Sequence, residues 1–469
     1  MFKGIFGLFF ASNVPKSSSQ NRGRKRKKKN GTERISGASF APAGSDGSGM
    51  PKILVADIAG DGSGEAGARI AACLDGFQSY EVFRAKRVLK MGDKGILVDQ
   101  LIAAADEGRA WLAEEEADLL VWGRMVRDII EIRFLVAVPL AEAQPGAYGL
   151  GDVLALPAAF DGDYNKGLHA TVLSAVGPTF KGMRNRVGTE LDTALGQIKS
   201  LVQEKPADLS GSDYAAFLTC MGNAFAVHAL LGGTAKRLDQ AVSSYKLALT
   251  HTSPETDPIV WSICQNHLGK VLRVKGERAK DVDTLKEASK AYKAIADQLS
   301  RIEHPFDWAL ANINLGLVLY RLGTVSGKSS YFQESTKFFD EALTIYTKEG
   351  TPGKWAEVCN QYGVVLLALG EQVNGNATLE IAVKKFRSSL NVRKKEVVPV
   401  LWAQTANNLG AACFSLAKRN SELALLREAS SCFEGAIEIY ESSGASKRAE
   451  LIANNLARVQ RLLSSRADA

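Results

Sequence analysis

The chain has 469 residues, too many for one ordinary core; at about 100–200 residues per domain it calls for two or three units. Hydrophobic residues make up 46% and charged residues 23%, which excludes disorder throughout. The net charge of +7 belongs to residues 1–49, where ten Lys/Arg meet two Asp/Glu. The remaining 48 basic and 49 acidic residues nearly cancel, so the folded body has no general electrostatic case for nucleic acid.

Residues 1–50 read as a disordered basic tail. The apolar start MFKGIFGLFF is followed by Arg22, Arg24, Lys25, Arg26, Lys27, Lys28 and Lys29, then by a Gly/Ser/Ala/Pro-rich stretch to Met50. Such a composition buries too little surface to offset chain entropy. It reads either as a solvated tail or as a weak anchor. As an anchor, Phe6, Phe9 and Phe10 enter a bilayer surface while Arg24, Lys25, Arg26, Lys27, Lys28 and Lys29 meet anionic lipid at about 1 kcal/mol each. A nuclear address and an over-extended start are open alternatives; as a signal peptide the segment is poor, because the basic run falls where cleavage should occur. No run of about 18 apolar residues predicts a transmembrane helix, and the expected location is cytoplasmic, with peripheral contact at the inner membrane if the tail anchors.

Residues 51–140 read as a small α/β domain. Strands are predicted at 52–57, 80–89, 118–123 and 130–137, the last two as a hairpin, with helices at 65–74 and 97–116. Residues 141–178 read as a connection, because 139–166 are rich in Gly, Pro and Ala. Gly62-Ser63-Gly64-Glu65-Ala66-Gly67 matches G-x-G-x-x-G between a strand and a helix, the context of a dinucleotide site. No acidic residue ends the second strand, and Asp61 and Glu65 would repel a pyrophosphate; the loop is expected to be a turn without a ligand. The scattered cysteines and the five isolated histidines show no metal or triad spacing, so no cofactor, metal or catalytic residue is assigned.

Residues 179–465 carry the strongest pattern. Trp261, Trp308, Trp355 and Trp402 recur every 47 residues, each followed eight residues later by Gly269, Gly316, Gly363 or Gly410. Tyr214 with Gly222, and Ala449 with Ala457, extend the register. Tyr245, Tyr292, Phe339, Phe386 and Phe433 keep the same interval; four residues before them stand Ala241, Ala288, Ser335, Ala382 and Ala429. Two markers on one period predict stacked helical hairpins, with the ring of each second helix over the glycine of the first. Lys447 to Leu463 reads as a capping helix.

The pairs Leu268-Gly269, Leu315-Gly316, Tyr362-Gly363 and Leu409-Gly410, followed by the Ala and aromatic of a second helix, resemble the tetratricopeptide repeat family over residues 211–465. The family's usual period is 34; a period of 47 with Trp402-Ala403 and Asn407-Asn408-Leu409-Gly410 looks like a long bacterial variant. The extra residues are expected partly between helices, at Gly276-Glu277-Arg278 and Gly370-Glu371-Gln372. The α/β segment resembles the amino-terminal domain of TolB-like proteins through Ile53–Asp57, Ala117–Gly123 and Ile130–Phe134. The first resemblance implies a mainly α fold, an α-solenoid of helical hairpins after a small α/β domain, working as a non-enzymatic scaffold for a peptide or partner protein. It places a concave groove at Asn266, Lys270 and Arg273; at Ile313, Leu317 and Tyr320; at Asn360 and Val364; and at Asn407, Ala411 and Phe414. The other reading kept open is a regulator sensing a nucleotide or other ligand through the Gly-rich loop.

Overall fold

The computed structural model describes the backbone of residues 32–34 and residues 49–92, 97–138, 143–180 and 184–467. They divide into two compact units, one ending at Leu299 and the other starting at Ser300.

The first unit opens with a mixed sheet. Strand β2 (Lys52–Asp57) is its centre, running parallel to β3 (Glu81–Val88) on one side and β4 (Leu119–Val126) on the other. Ile53, Leu54, Val55 and Ala56 have no solvent exposure, as a continuous apolar strand covered on both faces requires. β5 (Ile129–Val136) returns antiparallel to β4 through a two-residue turn in which Arg127 has φ 57°, and β6 (Leu154–Pro157) follows antiparallel to β5. Helix α2 (Leu97–Glu115) covers one face through Leu101, Ala105, Trp111 and Leu112, against Leu54, Leu120, Trp122 and Leu135. Helices α1 (Glu65–Asp75) and α3 (Gly162–Val176) pack on sheet strands as well.

Two expectations are corrected here. Within the tail, Thr32–Arg34 forms a short strand, β1, antiparallel to β3 at the sheet edge; residues 1–31 lie outside the described residues. The stretch 141–178 is more than a connection, since it holds β6 and the buried helix α3, which its Gly and Ala content concealed. After α3 come α4 (Arg184–Gln197) and α5 (Lys199–Gln203), then the hairpins α6 (Gly211–Leu230) with α7 (Ala235–Ala248) and α8 (Pro258–Ala279) with α9 (Val282–Gln298).

The second unit is three more hairpins and a cap: α10 (Pro305–Ser326) with α11 (Ser329–Ala342), α12 (Pro352–Gln372) with α13 (Ala377–Leu390), α14 (Pro399–Asn420) with α15 (Leu423–Ser442), and α16 (Ser446–Ala467). The first helices begin at Gly211, Pro258, Pro305, Pro352, Pro399 and Ser446, all in register. Proline at the first helical position loses no hydrogen bond and presets φ. Each tryptophan then sits one turn in, its N–H bonded to the residue before the proline: Trp261 to Asp257 O, Trp308 to His304 O, Trp355 to Thr351 O and Trp402 to Val398 O. The four tryptophans therefore occupy equivalent seats.

Glycine and ring meet as the pattern requires. A Cβ at Gly222 or Gly269 would stand 2.4 or 2.6 Å from the ring of Tyr245 or Tyr292. At Gly316, Gly363 and Gly410 it would stand 2.8, 2.7 and 2.9 Å from Phe339, Phe386 and Phe433. Where serine replaces alanine in the middle copy, Ser335 Oγ donates to Gly316 O at 2.7 Å. The extra length does not lie between helices at Gly276 and Gly370. Both are inside the last turns of α8 and α12, where a Cβ would strike Leu285 and Leu379, so each is a second close-approach point. Successive second helices are also joined by ion pairs at the surface, Lys246–Glu287 in the first unit and Arg387–Glu428 in the second, and Lys395, in the connection after α13, reaches Glu438 on α15.

Candidate functional site

The inner face of the first two hairpins is occupied by the chain itself. Residues 143–153, between β5 and β6, lie against α6 and α8. Arg273 NH2 donates to Ala143 O at 2.8 Å, and Tyr148 OH donates to Cys220 O at 3.3 Å and is 2.8 Å from Ser174 Oγ. From β5, Arg133 NH1 donates to Leu150 O and Gly151 O at 3.0 and 3.2 Å. Gly146 (φ 75°) is pressed so close to α6 that a Cβ would come within 2.6 Å of Asn223 O, and one at Gly151 within 2.9 Å of Ile263.

Asp152 is the anchor of this segment. Its Oδ1 is 2.7 Å from His267 Nε2 and accepts from Asn223 Nδ2 at 3.4 Å, while Oδ2 accepts from Gly149 N at 2.6 Å. Tyr245 OH donates to Asn223 Oδ1 at 2.7 Å, tying the cluster to the ring that packs on Gly222. Burial alone would raise the Asp152 carboxyl. The neighbouring His267 and the Gly149 N–H outweigh it and hold the carboxyl below its ordinary value. Arg133 is pushed down to about 10 by burial and stays charged at neutral pH. The Asp152 and His267 side chains are 4% and 3% exposed, so this acid–base pair is sealed from any substrate.

The groove positions expected on α8 are thereby corrected: Lys270 and Arg273 are buried and Asn266 half-buried, and Arg273 holds the chain's own backbone. On the second unit, Ile313, Leu317, Tyr320, Asn360, Val364, Asn407, Ala411 and Phe414 are all buried as well. Asn408 Nδ2 donates to Asn360 Oδ1 at 3.0 Å, bonding α14 to α12, and Asn407 Nδ2 donates to Asn408 Oδ1 at 3.5 Å. Asn407 Oδ1 is buried and accepts no hydrogen bond. Tyr320 tilts against Phe332, which in turn packs on Gly323.

In the Gly-rich loop, the place a phosphate would take at the start of α1 is filled by Asp61. Its Oδ2 accepts from Ala66 N at 2.7 Å, and its Oδ1 accepts from Ser63 N and Ser63 Oγ at 3.1 and 2.7 Å. The Ser63 hydroxyl chiefly, with these backbone N–H groups, holds the Asp61 carboxyl below its usual value. Gly64 (φ 70°) turns the chain, its carbonyl accepting from Arg84 NH2 at 2.7 Å. Gly67 lets α1 approach β2, since a Cβ there would meet Ala56 O at 3.1 Å.

His169 and His228 are buried too. His169 stacks on Phe77 at 3.8 Å and is 2.8 Å from Tyr80 OH; burial pushes its imidazole down to about 4. No group of three potential metal ligands occurs among the described residues, nor any helix long and apolar enough to cross a membrane. Phe6, Phe9, Phe10 and residues 24–29, the candidate membrane contacts, lie outside the described residues.

No family model and no curated protein matches the chain. Among solved structures it is similar to BtubC of P. vanneervenii, at 17% identity over 50% of this chain and 93% of that one, with a TM-score of 0.29. It is also similar to a de novo designed helical repeat protein, at 16% identity over 55% of this chain and 98% of that one, with a TM-score of 0.14.

Proposed function

We propose that the chain is a non-catalytic interaction scaffold of the tetratricopeptide kind, whose second unit takes an extended segment of a partner protein along its first helices. One observation supports this above the rest: the first unit already holds an irregular stretch of polypeptide, residues 143–153, on the equivalent helices. Arg273 grips a backbone carbonyl and His267 a buried carboxylate. Polypeptide held by main-chain contacts from a rigid helical face is the chemistry a peptide-binding array needs. The lone acceptor Asn407 Oδ1 agrees with it, since a buried polar atom left unbonded costs about 1–3 kcal/mol and a peptide N–H would relieve it.

The test is site-specific photocrosslinking in cells, with the reactive group at Ala368, one turn beyond Val364 on α12, or at exposed Lys384 on α13. Discrete adducts from position 368 and not from 384 are expected; equal adducts from both, or none from 368, would refute the reading. The ligand-sensing alternative predicts a different result. A panel of nucleotides is expected to leave the melting temperature unchanged, because Asp61 fills the helix start; a reproducible rise that Gly64→Val abolishes would restore that alternative.

A further inference from the structure

The last hairpin and the cap form a shallow, open cleft of about 520 Å³ lined by Phe414, Lys418, Arg458, Arg461, Leu462, Ser465 and Arg466. Its floor is apolar, from Phe414 and Leu462, and its rim carries four cations. Among the described residues, no carboxylate lines it. Elsewhere in the second unit some cations do reach carboxylates: Arg387 binds Glu428 through both Nε and NH2, and Lys395 pairs with Glu438. On α16, Arg458, Arg461, Leu462 and Ser465 follow helical spacing and share one face.

Two of the cations make hydrogen bonds to the fold, and among the described residues the other two make none. Arg466 NH1 donates to Ala417 O at 2.9 Å, pinning the cap to the end of α14, and Arg461 spends only its Nε, on Ala457 O at 3.2 Å. Lys418 lies 5.8 Å from the Phe414 ring centroid, and Arg458 is exposed. Glu371 on α12, half-buried and engaged by Ser415 Oγ at 2.9 Å, is a carboxylate within electrostatic reach of Lys418. An apolar floor of Phe414 and Leu462 set among cations suits a peptide that carries an apolar side chain between carboxylates. Arg is the side chain best matched to carboxylates in such a place.

We propose that this cleft binds an acidic segment of a partner protein, with an apolar side chain seated on Phe414 and Leu462 and flanking carboxylates on Lys418, Arg458 and Arg461. It rests on the scaffold reading and names the chemistry of the partner at the cap end of the second unit.

The test uses the full chain and a fluorescent peptide of four Asp/Glu flanking one leucine, followed by anisotropy. Saturable binding is expected. Arg458→Glu with Arg461→Glu should weaken it about tenfold or more, the equivalent of about 1.4 kcal/mol. Lys418→Glu alone should weaken it severalfold, and Arg427→Glu, an exposed reversal on α15, should leave it within twofold. Replacing the leucine of the peptide with serine, charges kept, should also weaken binding several-fold. The proposal fails if the double reversal binds like the wild type or if the leucine makes no difference, since bare charge attraction then suffices. It fails as well if phosphatidylserine vesicles take the chain through these arginines and the peptide does not compete. A crosslink from position 368 with no binding of the acidic peptide would defeat this inference and leave the scaffold reading standing.

Discussion

Gly363→Val is expected to destabilise the unit beginning at Ser300 by about 3 kcal/mol. A Cβ at this position would lie 2.7, 2.8 and 2.9 Å from three atoms of the Phe386 ring, and the ring has no solvent-exposed face to retreat to, being fully buried beneath Ala382. Valine adds two methyl groups to that Cβ, so α12 and α13 must separate. Two controls make the result diagnostic. Gly353→Ala, in the first turn of the same helix with nothing within 4 Å of its Cβ, should stabilise by about 0.5 kcal/mol. Gly363→Ala combined with Phe386→Leu should cost at least about 1 kcal/mol less than the two single changes added together. Urea denaturation of the five variants measures this; additive losses would show that the ring and the glycine are not one contact.

The second large effect is expected at Asp152→Ala, which removes the partner of His267, the acceptor of Gly149 N and the acceptor of Asn223 together. Breaking a buried hydrogen-bonded charge in this way costs about 3–5 kcal/mol. The loss should be local at first: residues 143–153 should gain hydrogen exchange and become cleavable, while the second unit keeps its protection. The pH dependence has a definite sign. A carboxyl held below its ordinary value of 3.8 contributes stability that is complete above that value and is lost as pH falls through the lowered one. Wild type should therefore weaken in the first unit on acidification below about pH 4, and Asp152→Asn should weaken less over the same interval. An unchanged exchange pattern in Asp152→Ala would show that the segment is held without it, by Arg133, Tyr148 and Arg273.

The hairpin array was legible because its contacts are local and repeated. Gly316 and Phe339 meet only 23 positions apart, and the same pair recurs at every interval, so spacing alone reveals it. The prolines at 258, 305, 352 and 399 are a third marker on the same period, and they fix the helix starts more sharply than the tryptophans; reading them would have located the helix ends that Gly276 and Gly370 belong to. The strands were readable for a similar reason, as continuous apolar runs. The occupied inner face was not. Asp152 and His267 are 115 positions apart, and nothing in Gly149-Leu150-Gly151-Asp152 distinguishes a bound segment from a loop. Helix α3 was hidden because Gly162 and Gly167 lower its apparent propensity, while its burial comes from neighbours the sequence does not show as adjacent. At the Gly-rich loop the pattern fitted a ligand site, and only the direction of the Asp61 carboxylate shows the helix start to be occupied.

The joints of the array are of two mechanical kinds. Inside each hairpin, a buried ring against glycine is indifferent to ions and tolerates almost no displacement. Between successive second helices, the outer links are exposed pairs such as Arg387–Glu428 and Lys246–Glu287, each contributing up to about 1 kcal/mol and screened over about 8 Å at physiological salt. Within either unit, then, each hairpin is held by a contact that salt does not touch, while the outer edge of the seam to the next carries links that weaken as ionic strength rises. In brine the outer edge of each seam should loosen while its buried side, where Asn408 bonds Asn360, keeps its grip.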